Sequence, residues 1–182
     1  MIRIDSIHIQ EFRGIRDLTL EFGGKNFAIC GPNGTGKSGV VDALEFVLTG
    51  NISRLSGEGT GELSLKEHGP HVDSRSNPEK ARVTVKITIP SLKKGVTLER
   101  RLSAPTKMLA SPASVEIEQV LKYVQSHPEI VLCRRELIRY VLATPGKRAD
   151  EVQALLHLDQ IEHVRVALQK IANTCELPIA LA

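Results

Sequence analysis

The amino-acid sequence predicts an α/β fold. A short apolar segment, KNFAIC at residues 25–30, leads into a glycine-rich loop, and an amphipathic helix follows at once. Segments with alternating apolar residues lie on both sides of that unit and predict antiparallel hairpins, while the C-terminal part has helical periodicity. Together these observations predict a mixed sheet packed against helices.

Composition limits the classes of protein to which the chain can belong. Its 182 residues are 41% hydrophobic and 25% charged, enough for one globular core. The net charge is only +3, and aromatic residues make up 3%, which disfavours base stacking on aromatic side chains. Three scattered cysteines lack metal spacing, and no apolar run reaches the ~20 residues of a membrane span. We therefore expect a cytoplasmic protein, with nucleoid association left open.

The first half of the chain contains four predicted elements. Isoleucines in residues 2–9 predict a strand with a bulge near Ser6, and residues 18–22 predict a second strand. Residues 25–30 predict a short buried strand that enters the glycine-rich loop. Residues 40–48 predict a helix that Gly50 ends.

The second half begins with a long loop at residues 51–80, in which residues 62–66 are a candidate strand. Alternation predicts a hairpin of residues 83–89 and 96–102, followed by a loop at residues 103–113. Ser114 is a predicted helix cap. The remaining predictions are a helix at 115–125, a strand at 130–133, and helices at 136–143, 148–156 and 160–171.

Residues 31–38, GPNGTGKS, match the phosphate-binding pattern G-x-x-x-x-G-K-[ST]. Glycines let backbone N–H groups surround a phosphate chain, and the helix that follows directs its positive end at the anion. In this pattern Lys37 contacts the β- and γ-phosphates, and the Ser38 hydroxyl binds Mg²⁺. The guanine-specific pattern N-K-x-D and the switch pattern D-x-x-G do not occur, which favours ATP over GTP.

Two stretches, FRGIRDLTLEF and NFAICGPNGTGKSGVVDALEFVLTG, resemble the N-terminal part of the ATPase head of the SMC/RecF family. That family includes ATPases of double-strand-break repair and anti-phage systems. The resemblance is strong over residues 1–50 and weaker over residues 131–171. It implies a P-loop NTPase of the ABC/SMC head type, in which the N-terminal lobe carries an added antiparallel β layer. Its implied nucleotide-binding residues are Gly31, Asn33, Gly34, Thr35, Gly36, Lys37 and Ser38, with Arg13 nearby.

The resemblance also suggests roles for residues outside the loop. Arg13 either lies beside the nucleotide or forms a salt bridge at a turn. Arg54 either supports head engagement and DNA sensing or is a solvated surface residue. The implied partners are a second head joined through sandwiched ATP, or the C-terminal half of the same head, and DNA.

The sequence departs from the family pattern in ways that bear on hydrolysis. Arg134 or Arg135 stands where a glutamine is expected to ligate Mg²⁺, and arginine cannot ligate a cation. No apolar strand ends in Asp-Glu (the Walker B motif), and no signature motif occurs. We therefore expect a fragment of a longer protein or a subunit completed by another chain, nearly inactive alone. Its predicted parts are a lobe at residues 1–158 and a helix at 159–182, a candidate coiled-coil root.

Two further clusters of polar residues are candidate binding sites. His68 and His71, with Glu67 and Asp73, supply too few ligands at this spacing and are assigned to a surface loop. A hairpin with one basic face could lie along phosphates without reading sequence, and the alternative is an ordinary solvated strand face. The candidate DNA-contacting residues are Arg82, Lys86, Arg100 and Arg101.

These observations leave three hypotheses about function. The first is an ATPase head involved in DNA repair, DNA maintenance or anti-phage defence. The second is a nucleotide-gated dimerisation module with little turnover that regulates a partner nuclease. The third is a small-molecule kinase, for which no acceptor base or lid arginines are found.

Overall fold

The structure is a computed structural model that describes residues 2–56, 65–74, 77–125, 141–142, 144, 146 and 159–175. The chain divides into two compact units, Met1–Val131 and Leu132–Ala182. The predicted boundary after residue 158 stays a prediction, because residues 147–158 before it lie outside the described ranges.

The first unit contains a five-stranded antiparallel sheet in the order β2-β1-β3-β4-β5. Its strands are β1 (Arg3–Phe12), β2 (Ile15–Glu21), β3 (Arg82–Ile89), β4 (Lys94–Arg101) and β5 (Met108–Ser111). The register of β1 on β3 shifts between Ile4 and Ser6, which confirms the predicted bulge. The sheet therefore contains both predicted hairpin strand pairs in one layer.

Helix α1 (Lys37–Thr49) packs on one face of the sheet and forms the centre of the core. Phe46 is fully buried and lies against Phe12 of β1, with ring centroids 5.5 Å apart. The sheet contributes alternate apolar residues to the same layer because successive side chains point to opposite faces. Gly50 ends α1 in the left-handed conformation, as predicted, and its N–H donates to Phe46 O.

Helix α4 (Val115–Gln125) begins where the sequence predicts, after Ser114. The Ser114 hydroxyl accepts a hydrogen bond from the Ile117 N–H, which caps the first turn. Ile117 and Leu121 are its buried residues, and the helix contacts α1. Two one-turn helices, α2 (Ser53–Ser56) and α3 (Leu65–His68), follow α1 and precede β3 along the chain.

In the second unit the structure describes helix α5 (Asp159–Cys175), which contains the predicted helix at residues 160–171. Exposed apolar side chains on it include Val164, Leu168 and Ile171. No helix within the described ranges is long and apolar enough to cross a membrane.

The predicted strand at residues 25–30 is wrong. These residues form no strand, and Phe27 is 51% exposed. A strand requires a neighbour with free backbone groups, and this segment pairs with neither sheet edge, β2 or β5. Phe27 instead makes an edge contact with Phe22, with ring centroids 4.9 Å apart.

Two predicted loop assignments also differ from the structure. Residues 103–113 contain β5, which forms because Met108–Ser111 add to the edge of β4. Of the candidate strand at 62–66, the described residues 65 and 66 belong to α3. The predicted strand at 130–133 and helix at 148–156 lie outside the described residues, as does the helix at 136–143 apart from the helical residues 141 and 142.

Candidate functional site

The glycine-rich loop lies exposed between residue 30 and the start of α1. Gly34 and Gly36 have φ angles of 84° and 83°, which residues with a Cβ rarely adopt. The Thr35 hydroxyl donates to Pro32 O at 2.9 Å and closes the turn. Lys37 Nζ donates to Gly31 O at 2.7 Å and also to Pro32 O. The ammonium group therefore lies over the loop of residues 31–38.

The first turn of α1 favours an anion. Gly36 is the N-cap residue and makes no side-chain capping bond, and the first turn carries no acidic residue. Its backbone N–H groups lack intrahelical acceptors and lie at the positive end of the helix dipole. Lys37 adds a cation, and the exposed Ser38 supplies a hydroxyl for a metal. This donor set fits a Mg²⁺-bound nucleoside triphosphate.

Two glycines let α1 approach the β1–β2 turn closely. A Cβ at Gly39 would lie 3.2 Å from Ile15 Cδ1, and one at Gly36 would lie 3.4 Å from Ile15 Cγ1. The turn itself contains Arg13 with a φ angle of 57°, an uncommon conformation for a residue with a side chain. The close approach places Arg13 beside α1.

Arg13 forms the salt bridge that one of the two sequence interpretations predicts, and it also lines the cavity next to the loop. Its Nε lies 3.2 Å from Asp42 Oδ2, and its Nη1 donates to His68 O at 3.4 Å. The backbone N–H of Arg13 donates to Gly69 O at 2.7 Å. Arg13 is thus held by α1 on one side and by the backbone at residues 68 and 69 on the other.

Arg54 of α2 approaches the same carboxylate from the other side, with Nη1 3.4 Å from Asp42 Oδ1. The Asp42 side chain is 1% exposed, whereas that of Arg54 is 40% exposed. Burial raises the pKa of Asp42, and the nearby Arg54 and Arg13 charges lower it by less. Arg54 is therefore partly exposed to solvent and is paired with α1 through Asp42.

A cavity of about 490 Å³ lies between these groups and the start of α1. One wall is the segment after α3, which hydrogen-bonds to the end of β1 through His71 N–H and Glu11 O at 2.8 Å. The Ser74 hydroxyl donates to Glu11 Oε2 at 2.7 Å and fastens the same segment. The lining residues are Arg13, Gly14, Gly36, Ser38, Gly39, Asp42, Leu55, His68, Pro70 and Val72.

The opposite face of the sheet carries the candidate DNA-contacting hairpin. Arg82 and Arg101 lie directly across from each other, and the exposed Lys86 lies four residues further along β3. Arg101 pairs with Glu99 at 3.0 Å, and Arg82 donates to Gln10. The face therefore mixes acidic and basic groups instead of presenting a continuous basic strip.

Arg100 does not lie on that face, so we withdraw it from the candidate DNA contacts. It is 3% exposed and lies on the core side with Val96 and Leu98, because alternate residues of β4 share a face. Its guanidinium donates to Val47 O at 3.1 Å, to Leu48 O at 3.4 Å and to Pro105 O. Arg100 thus binds carbonyls at the end of α1.

Sequence reasoning gave no role to Asp42, although it lies at the centre of the arginine pair. A signal was present: Asp42 lies one turn after Ser38, on the face of α1 that also carries the apolar residues Ala43 and Phe46. A carboxylate in such surroundings requires a charged or hydrogen-bonding partner. The wall residues Pro70 and Val72 gave no comparable signal.

Comparison with known proteins gives three findings. A family model described as "AAA domain" matches residues 6–178. The chromosome partition protein Smc of Methanocaldococcus jannaschii is 42% identical over 48 residues, which are 26% of this chain and 4% of that protein. This chain therefore spans a small part of that relative's length.

A solved structure from work on the ATP-driven dimerisation and DNA-stimulated activation of SMC ATPases has a similar fold, with a TM-score of 0.57. The two chains are 19% identical, and the match covers 84% of this chain and 99% of the other. The predicted fold class, a P-loop NTPase lobe of the SMC head type, is confirmed.

Proposed function

The chain belongs to the AAA domain family, and from this premise we propose that it is the ATP-binding N-terminal part of an SMC-type ATPase head. The observation that carries the proposal is the loop of residues 31–38, which runs into an uncapped helix with Lys37 folded over it. In this assignment Lys37 and the first-turn N–H groups of α1 bind the phosphates of ATP. Ser38 binds Mg²⁺, which neutralises phosphate charge when it is present.

The direct test is calorimetric titration of ATP and GTP, with Mg²⁺, into the chain and its Lys37→Ala variant. Lys25→Ala is the matched control, because Lys25 is exposed and lies before the loop. We expect ATP-selective binding that Lys37→Ala abolishes and Lys25→Ala preserves. Equal binding by all three proteins, or binding by none, would contradict the proposal.

We infer that hydrolysis requires groups outside this sequence. Two motifs that would complete a head, an apolar strand ending in Asp-Glu and the signature motif, do not occur in the 182 residues. The one Asp-Glu pair, Asp150-Glu151, follows Lys147-Arg148-Ala149 and not an apolar strand. They would come from a C-terminal half or a partner head, joined through sandwiched ATP. A multiple-turnover ATPase assay of the chain alone should give almost no product, and robust turnover lost in Lys37→Ala would overturn this inference.

The alternative of a nucleotide-gated module shares this site and differs in turnover. It rests on Arg134 and Arg135, which stand where a metal-ligating glutamine is expected. Slow hydrolysis by a completed head that still dimerises with ATP would favour it. Roles in DNA repair, DNA maintenance or anti-phage defence, with a partner nuclease, remain part of the proposal, as does a cytoplasmic or nucleoid location.

Contact with DNA is proposed for Arg82, Lys86 and Arg101 on the outer sheet face. Contacts to phosphates by these cations would be independent of sequence and would weaken as salt rises. Replacing all three by alanine should reduce binding to duplexes of unrelated sequence equally and flatten the salt dependence. Unchanged affinity in the triple variant would exclude this face.

A further inference from the structure

Asp42 is the most buried charged group beside the phosphate-binding loop, and the proposed binding of ATP assigns it no role. Its side chain is 1% exposed and lies on α1, one turn after Ser38. A carboxylate in this position is costly to bury unless other groups compensate its charge.

Three separate elements meet at this carboxylate. Arg13 comes from the β1–β2 turn and approaches Oδ2 at 3.2 Å, while Arg54 comes from α2 and approaches Oδ1 at 3.4 Å. The contact of Arg13 with Oδ2 is an ion pair without the alignment of a hydrogen bond, and Oδ2 is fully buried. Each carboxylate oxygen thus faces a different guanidinium.

The balance of charge beside the cavity favours an anionic ligand. Two guanidinium groups face one carboxylate, and the cavity also contacts Gly36 and Ser38 of the loop. One positive charge is therefore left uncompensated among these three groups. Arg13 is further fixed by its bond to His68 O, so it cannot turn away without losing two contacts.

We propose that Asp42 is a positioning residue of the nucleotide site, whose carboxylate holds Arg13 in the wall of the cavity beside the loop and holds Arg54 next to it. The inference rests on the proposed ATP binding and adds to it a residue that acts through the two arginines. A positioning role and a simple electrostatic effect of Asp42 predict opposite changes in ATP affinity when its charge is removed. Removing a negative charge near an anion would by itself strengthen ATP binding, whereas releasing the arginines would weaken it.

The test is titration of ATP with Mg²⁺ into the full chain and into Asp42→Asn, Arg13→Ala and the double variant. We expect Asp42→Asn to weaken ATP binding about tenfold, the scale of one hydrogen bond to a charged group. In the Arg13→Ala background the same substitution should weaken ATP binding by less than about threefold, because Asp42 then positions only Arg54. Asp17→Asn, which removes an exposed carboxylate on the opposite sheet face, should change the affinity by less than about twofold.

A conservative variant, Arg13→Lys, tests the proposal even if Asp42→Asn does not fold. Arg13→Lys keeps the positive charge but cannot hold both the Asp42 carboxylate and His68 O with a planar fork. We expect it to weaken ATP binding nearly as much as Arg13→Ala, with an unchanged thermal unfolding temperature. Wild-type affinity in Arg13→Lys would overturn the proposal without use of any Asp42 variant.

The remaining outcomes separate this inference from the proposed function. Unchanged or tighter ATP binding by Asp42→Asn, with binding still lost in Lys37→Ala, overturns the positioning role and leaves ATP binding intact. A tenfold loss that persists undiminished in Arg13→Ala and in Arg54→Ala also overturns it. If wild type binds no ATP, both proposals fail together.

Discussion

Replacing Arg100 by alanine should destabilise the fold without acting through DNA. The guanidinium is 3% exposed and donates to Val47 O, Leu48 O and Pro105 O, and the first two belong to the buried last turn of α1. Each carbonyl left without a partner costs about 1–3 kcal/mol. Lost packing of the side-chain methylenes adds about 1 kcal/mol, while relief from burying a cation offsets part of the total.

The expected net loss is about 3 kcal/mol of the free energy of unfolding, which for a chain of this length lowers the melting temperature by roughly 6–12 °C. Chemical denaturation followed by circular dichroism measures it. Arg101→Ala is the matched control, because Arg101 is the exposed neighbour on the opposite face, and should change the free energy by less than about 0.5 kcal/mol. Arg100→Met keeps most of the packing and isolates the loss of hydrogen bonds.

A DNA-binding role for Arg100 predicts the reverse pattern. In that case Arg100→Ala would unfold like wild type and would lose affinity for DNA at low salt. That result would refute the reasoning from burial. The structure predicts the opposite outcome: Arg100→Ala loses stability, and the folded fraction keeps its affinity for DNA.

Three further predictions concern the same core. Gly50→Ala should destabilise by at least about 1 kcal/mol, because its φ is 81° and a Cβ would lie 2.6 Å from Arg100 Nη1; Gly95→Ala, with open space around it, is the control in a denaturation series. Phe46→Ala should cost about 3–5 kcal/mol in the same assay, since the ring is fully buried, and a loss below 1 kcal/mol would contradict that packing. Burial raises the pKa of Asp42, so its contribution to stability is fully present below pH 3.8 and is lost as pH rises through the folded-state pKa. The difference in the free energy of unfolding between wild type and Asp42→Asn should therefore fall as pH rises over that window.

Local patterns in the sequence were sufficient for most elements of the described fold. Alternation predicted β3 and β4, and helical spacing with Gly50 and Ser114 as end signals predicted α1 and α4. The phosphate-binding loop was predicted by residue type and spacing, since its backbone conformation depends on glycines within the motif itself. These features depend on neighbours a few residues away along the chain.

The sequence already contained a signal that Arg100 is buried. Period-two alternation places it with Val96 and Leu98, on the face that alternation also predicts to be buried. Its charge suggested exposure to solvent, and the predicted contact with DNA rested on that charge and not on the position of Arg100 in the strand. The acceptors that make burial tolerable, Val47 O and Leu48 O, come from a helix about 50 residues earlier, and no local pattern reveals them.

Residue types within single segments were enough to predict strands β1 to β4, helices α1, α4 and α5, and the chemistry of the loop. The packing of the whole chain was needed to show that residues 25–30 form no strand, that Met108–Ser111 add to β4, and that Arg13 and Arg54 meet at Asp42. Strand pairing and buried ion pairs depend on which distant groups come within a few ångströms of each other. That information resides in the packing of elements and not in any single stretch of residues.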